Sequence, residues 1–214
     1  MTPAFSIEDL TFHYPGQEAA ALDGLSLAVN PGEFLVLCGP SGCGKSTLLR
    51  QLKTVLAPHG QRAGRILFEG RPLESVGQRE QAQRIGFVGQ SPDNQLVTDK
   101  VWHELAFGLE NLGVPNADIR RRVAEMSEYF GITGWYDKNT EELSGGQKQL
   151  LNLASIMVMR PEVLLLDEPT AQLDPLAKKK FIDTVLELNK HFVRFRIDIR
   201  KIVFNTHNCY SKIL

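Results

Sequence analysis

Phe34-Leu-Val-Leu-Cys-Gly-Pro-Ser-Gly-Cys-Gly-Lys-Ser-Thr-Leu-Leu49 decides how the rest of the chain is read. Phe34 to Cys38 is a continuous apolar run of strand length, the pattern of a strand buried on both faces. A Gly-rich turn follows. Lys45 to Leu56 then sets Leu48, Leu49, Leu52, Val55 and Leu56 at helical spacing, with a stop at Ala57-Pro58-His59-Gly60. Between strand and helix, Gly39-Pro40-Ser41-Gly42-Cys43-Gly44-Lys45-Ser46, with Thr47 next, matches G-x-x-x-x-G-K-[ST] in the context that gives the spacing its meaning. The glycines let backbone N–H groups turn inward around phosphate oxygens, and the helix start adds positive potential. Lys45 is placed to reach the β- and γ-phosphates, and the Ser46 hydroxyl to ligate Mg2+. A glycine-rich turn without a ligand is the competing reading, and the flanking strand and helix weigh against it.

Working outward, Leu10, Phe12 and Tyr14 alternate with polar residues, as do Leu25, Leu27 and Val29, and both runs close on turns at Pro15-Gly16 and Asn30-Pro31-Gly32. Short strands are expected around Ile66–Glu69 and Ile85–Val88. From Val101 to Arg160 the period becomes helical. Val101, Trp102, Leu105, Leu109 and Leu112 mark one stripe, Ile119, Val123, Met126 and Phe130 a second, and a third helix opens at Ser144. A second buried strand, Val163–Leu166, ends in Asp167-Glu168; a last helix starts at Asp174-Pro175 and carries Phe181, Ile182, Val185 and Leu186. The pattern predicts an α/β phosphate-loop core with a β-rich first third, interrupted by a mostly helical insert. An acidic residue closing a buried strand can hold Mg2+, usually through water, while its neighbour takes a proton from the attacking water. Asp167 and Glu168 are the candidates. Strands often end in acidic turns, so the phosphate loop upstream gives the pair its significance.

The 214 residues can bury a real core and fit one domain. Lys and Arg total 24 against 25 Asp and Glu, a formal net charge of −1, which removes any bulk electrostatic case for binding nucleic acid. Cys38, Cys43 and Cys209 are odd in number and lack metal-ligand spacing, which suits a reducing cytosol. MTPAFSIEDL has no basic region or long apolar stretch, so no secretory signal is visible, and no apolar run is long enough to span a membrane. Any membrane role is expected to come through a partner.

Leu143-Ser-Gly-Gly-Gln-Lys-Gln149 carries the insert's meaning. Ser144 with Gln147 three residues on forms a capping-box pattern. Gly145-Gly146 leaves the first amides open, making a second anion-ready helix start. A structural cap accounts for Ser144 and Gln147, but not for two glycines in a first helical turn, which weaken a helix.

Together, the phosphate loop, LSGGQ at 143–147 and LLLDEPTAQLD at 164–174 resemble the ATP-binding subunits of ATP-binding-cassette (ABC) transporters. The resemblance covers about residues 5–189. It implies an α/β nucleotide-binding ABC ATPase fold with an N-terminal antiparallel β subdomain and an inserted α-helical subdomain, with ATP and Mg2+ bound. It also implies a head-to-tail dimer with a second ATPase subunit, homo- or heteromeric, in which each Ser144-Gly145-Gly146-Gln147 segment closes on the nucleotide held by the other subunit's loop. It assigns Tyr14 to stacking on adenine, and Gln90 to a loop that senses Mg2+, the attacking water and a transmembrane partner. Asp174 becomes the aspartate of the loop that crosses the dimer interface. Tyr14 could instead be an ordinary strand aromatic and Gln90 a loop polar residue, while Asp174 before Pro175 is also a good N-cap. The stretch 90–113, QSPDNQLVTDKVWHELAFGLENLG, is similar to the energy-coupling-factor and cobalt-type importer ATPases, which power uptake of vitamins or transition-metal ions. That implies a peripheral place on the cytoplasmic membrane face, held by transmembrane subunits. His103 has no partner ligands at metal spacing and reads as a packing or surface residue; Arg120-Arg121-Arg122 reads as a solvated helix face. Cys43 lies inside the phosphate loop, and Cys38 reads as a small core residue.

The end of the chain departs from the resemblance, which places a buried strand and a γ-phosphate-contacting histidine near position 201, where this chain has Lys. The nearest candidate is His207, after Ile202-Val203-Phe204. In HFVRFRIDIRK, residues 191–201, Phe195, Ile197 and Ile199 alternate with Arg194, Arg196, Asp198 and Arg200, the pattern of a one-sided or edge strand. The boundaries expected are a nucleotide-binding core at 1–90, a helical subdomain at 91–160, the acidic strand and its helix at 161–190, and an atypical tail at 191–214 that reads as a truncation or a shifted frame. Two rivals keep the fold: a truncated cassette acting as a weak, passive ATP-binding partner, and a soluble ABC-type ATPase working on nucleic acid or ribosomes. The latter usually shows paired cassettes, an inserted arm or basic patches, and none is visible here.

Overall fold

The computed structural model describes residues 2–30, 32–191 and 201–206. They divide into two compact units. The first holds the residues up to Ile85 with the strands β7 (Val163–Asp167) and β8 (Lys201–Thr206); the second holds Gly86–Glu162 and the stretch from Glu168 to the end of the last helix.

In the first unit, β1 (Phe5–His13) runs antiparallel between β2 (Leu22–Val29) and β4 (Gln61–Phe68), and the two-residue β5 (Arg71–Pro72) extends the sheet beyond β4. Phe5, Ile7, Leu10 and Phe12 of β1 are buried with Ile66 and Phe68 of β4. Ile7 and Leu10 both face inward, although three residues apart, because the register slips between them where Asp9 takes a φ of 48°. That bulge restores the inward face for Phe12.

The second sheet of this unit is parallel. β8 lies between β3 (Phe34–Cys38) and β7, pairing Phe34 with Ile202 on one side and Leu164 with Ile202 on the other. The strand near the chain's end is thus Lys201–Thr206, an inner one. The edge-strand pattern expected at 191–201 falls, save for its end residues, outside the described residues. β7 is buried throughout, as its sequence predicts. β3 is only half-covered from Phe34 to Leu37, and Cys38 is exposed rather than in the core. An apolar run reports a preference for cover, not how much the described elements supply.

The helix after the phosphate loop, α1 (Lys45–Gln51), is shorter than its apolar spacing predicts. Lys53 turns to an extended φ of −141° and Thr54–Leu56 form one 3-10 turn. Side-chain hydrogen bonds account for the early end. Lys53 Nζ donates to the Ile85 carbonyl at 2.7 Å, and Thr54 donates through both N–H and hydroxyl to Gln81 Oε1 at 3.0 Å. Gln81 belongs to α2 (Gln78–Arg84). Val55 and Leu56, expected on the buried stripe, are exposed in consequence.

The second unit begins at Gly86, inside β6 (Ile85–Val88), and contains α3 (Val101–Asn111), α4 (Asn116–Phe130), α5 (Gly145–Val158) and α6 (Pro175–His191). α3 buries Val101, Leu105 and Leu109; α4 buries Ile119, Val123, Met126 and Phe130, and ends at Gly131, whose φ of 66° suits glycine. α5 is apolar on nearly every side and accordingly buried along most of its length. No helix among the described residues is long and apolar enough to cross a membrane.

Candidate functional site

The phosphate loop leaves β3 at Gly39 and enters α1 at Lys45. Gly44, immediately before the helix, has a φ of 92°, and a Cβ there would lie 2.4 Å from the Ala21 carbonyl oxygen, so glycine alone fits. Lys45 is buried, and its Nζ donates to the carbonyls of Gly39 at 2.9 Å and Pro40 at 2.7 Å. The loop therefore curls around an ammonium group. Cys43 is free and exposed, with its sulfur 3.6 Å from that Nζ.

Ser46 and Asp167, 121 residues apart, meet directly: the Ser46 hydroxyl donates to Asp167 Oδ1 at 2.7 Å. Arg50 Nε, one turn further along α1, is 3.9 Å from Asp167 Oδ2. A hydroxyl beside a carboxylate at the helix start is a hard oxygen pair of the kind Mg2+ prefers, so these residues fit the expected ion. Tyr14 is tied to the same helix, its hydroxyl 2.9 Å from Thr47 Oγ1, and its ring stands edge-on to Phe12 with centroids 5.0 Å apart. It borders an open cavity of about 540 Å³ that His13, Gln17 and His59 also line.

The remaining candidates belong to the second unit. Glu168 is half-buried with a φ of 49°, a left-handed conformation uncommon for a residue with a Cβ. Its carbonyl accepts from Ala171 N–H at 3.0 Å. Ser144 caps α5 as its spacing predicts: its hydroxyl accepts from Gln147 N–H, and Gln147 Oε1 accepts in return from Ser144 N–H at 2.9 Å. Asp174 caps α6 by accepting from Leu176 and Ala177 N–H at 2.9 and 3.0 Å. Ser144, Gly146, Gln147 and Asp174 share a cleft of about 240 Å³ with Leu176 and Lys180. Gly146 permits close approach of the two helices, since a Cβ there would come within 2.8 Å of the Ala177 Cβ. Gln90 is exposed in the bend after β6. His207 lies outside the described residues.

Two polar residues that the sequence reading passed over belong with these. Gln149 and Asn152 are buried on α5, and both reach the segment that carries Gln90: Gln149 Nε2 donates to the Gly89 carbonyl at 3.0 Å and Asn152 Nδ2 to Gln95 Oε1 at 2.9 Å. The available signal was two amides, three residues apart, one just before and one inside the largely apolar run Leu150 to Val158. His103 is a surface residue, 3.6 Å from the Asp99 carboxylate. On α4, Arg120 and Arg121 are exposed, with Arg121 paired to Asp118 and Glu125.

The family model for ABC transporters matches residues 22–171. A Bacillus cereus protein described as an ABC transporter ATP-binding protein is 48% identical over 184 residues, covering 86% of this chain and 33% of its own length. A similar relative from Methanosarcina mazei is 41% identical and is covered over 32% of its length, so the chain spans about a third of these relatives. An energy-coupling factor transporter ATP-binding protein from Symbiobacterium thermophilum is 42% identical over 201 residues, covering 88% of this chain and 67% of that protein. Among solved structures, cbiO1 from Clostridium perfringens, part of the ABC transporter complex cbiONQ, superposes with a TM-score of 0.82 at 33% identity, covering 97% of this chain and 80% of the other.

Proposed function

The chain belongs to the ABC transporter ATP-binding family, and from that premise we propose that it binds and hydrolyses ATP with Mg2+ to power a membrane importer of the energy-coupling-factor or cobalt type. The observation that carries the reading is the joining of the phosphate loop to the end of the acidic strand, through the 2.7 Å bond between Ser46 and Asp167.

Each residue then has a task. Lys45 presents a buried positive charge at the loop, where developing phosphate charge needs it. Ser46 and Asp167 hold Mg2+, which when bound neutralises charge on the phosphate oxygens. Glu168 accepts a proton from the attacking water, and Gln90 orients that water. Tyr14 offers its ring to adenine, its tilt set by the bond to Thr47. Ser144, Gly145, Gly146 and Gln147, with the Asp174 loop, face a second ATPase subunit arranged head to tail, so that each nucleotide is enclosed by two chains. Hydrolysis opens that pair, and the Gln90 loop transmits the change to transmembrane subunits that carry a vitamin or metal ion. The cbiO1 and energy-coupling-factor relatives support this choice of importer class.

Binding of a fluorescent ATP analogue tests the nucleotide half directly. The Lys45→Ala variant is expected to bind at least tenfold more weakly than the natural chain while keeping its melting temperature within a few degrees. Equal affinity in the two proteins would contradict the assignment.

A further inference from the structure

Gln90 is exposed, so its position depends on the backbone that carries it. The preceding residue, Gly89, has both of its backbone polar groups held by side chains: its N–H donates to Gln95 Oε1 and its carbonyl accepts from Gln149 Nε2 at 3.0 Å. Gln95 is held in turn, donating through Nε2 to the Phe87 carbonyl at 3.2 Å and accepting from Asn152 Nδ2 at 2.9 Å. Lys148 adds an ion pair to Asp93 at 2.6 Å. Lys148, Gln149 and Asn152 all belong to α5, the helix whose capped start is Ser144. Three of its side chains therefore grip residues 89–95 from one side.

Gln149 and Asn152 are 0% and 2% exposed, on a helix otherwise packed with Leu and Ile. Simple packing at these two places is better served by apolar side chains, because buried amides must find partners. Gln149 finds only one among the described residues: its Oε1 is buried without a hydrogen-bond partner. Its Nε2 is spent on the Gly89 carbonyl, the backbone group immediately before Gln90.

We propose that Gln149, supported by Asn152 and Gln95, is a positioning residue that fixes Gln90 to the helix beginning at Ser144, so that the loop and the Ser144 helix start shift as one body. The inference rests on the hydrolytic role proposed for Gln90 and extends it to a group that touches neither nucleotide nor water. Gln149→Leu keeps the volume and removes the donor; Gln149→Glu keeps the shape and turns a carboxylate towards a carbonyl oxygen.

Hydrogen exchange on the full chain tests the grip without requiring activity. Both variants should raise amide exchange across residues 87–95 at least tenfold, with exchange in β1 and β4 unchanged; unchanged exchange at 87–95 overturns the proposal whatever the turnover. Kinetics test the positioning role. Gln149→Leu should lower kcat about tenfold with KM for ATP within twofold, and the loss should vanish when Gln90→Ala is already present. An additive loss, or one that falls on KM, reduces Gln149 to a structural residue. A natural chain that binds ATP but shows no turnover overturns the hydrolytic reading instead, and the exchange result then decides the grip by itself.

Discussion

Lys45 and Gln149 are both buried polar residues whose partners are backbone carbonyls, and both were open to view in the sequence to different degrees. Lys45 stands in a spacing with a known physical purpose, so its burial against the Gly39 and Pro40 carbonyls follows from the turn that the glycines allow. The caps at Ser144 and Asp174 were equally legible, because capping uses residues two or three apart. Gln149 was not, since its partner is 60 residues away and its neighbours suggest only a buried helix. Cys43 carries a prediction at this scale. Its thiol is free and exposed beside Lys45, so alkylation should block nucleotide binding, and bound ATP with Mg2+ should slow the labelling at least tenfold. Mass spectrometry of the labelled peptide reads the rate; equal labelling with and without nucleotide would contradict the placing of nucleotide on this loop.

At the level of elements, the periodicities predicted which segments are strand or helix, while tertiary bonds set where they stop. α1 ends four residues or so before its apolar spacing does, because Lys53 and Thr54 are drawn to Ile85 and Gln81, partners that no local pattern reveals. β4 starts at Gln61, ahead of its apolar part, because Thr11 to His13 of β1 offer it a partner. The Lys53 contact has a cost that can be measured. Burial pushes its pKa down from 10.5 to about 8. Below about pH 8 both folded and unfolded chains hold the proton, and the native state bears the full penalty; between about 8 and 10.5 the unfolded chain holds a proton that the native chain has released, so stability rises with pH in that window. Lys53→Met should therefore flatten the rise and add about 2 kcal/mol at pH 7, allowing for partial solvent access to a shift worth about 1.4 kcal/mol per pKa unit. Urea unfolding of the two proteins at pH 7 to 10 checks it, and parallel pH profiles would contradict it.

For the whole molecule, the first unit contains Lys45, Ser46 and Asp167, and the second contains Glu168, Gln90 and the capped Ser144 and Asp174 segments. The family could be read from three short motifs, because each is a local solution to holding phosphate or presenting a helix start. The end of the chain was less legible: the apolar stretch Ile202-Val203-Phe204 did not say where its strand would pair, and that strand, Lys201–Thr206, lies between β3 and β7. Pairing in a parallel sheet joins distant segments, and only the sheet itself reveals that this strand is an inner one. The proposed function depends on hydrolysis of ATP through Glu168, which steady-state turnover with Mg2+ measures for the natural chain beside Glu168→Gln. Measurable turnover is expected in the natural chain and a loss of at least a hundredfold in the variant, with ATP still bound. Turnover that survives the substitution, or is absent from the natural chain at saturating ATP and Mg2+, would contradict it.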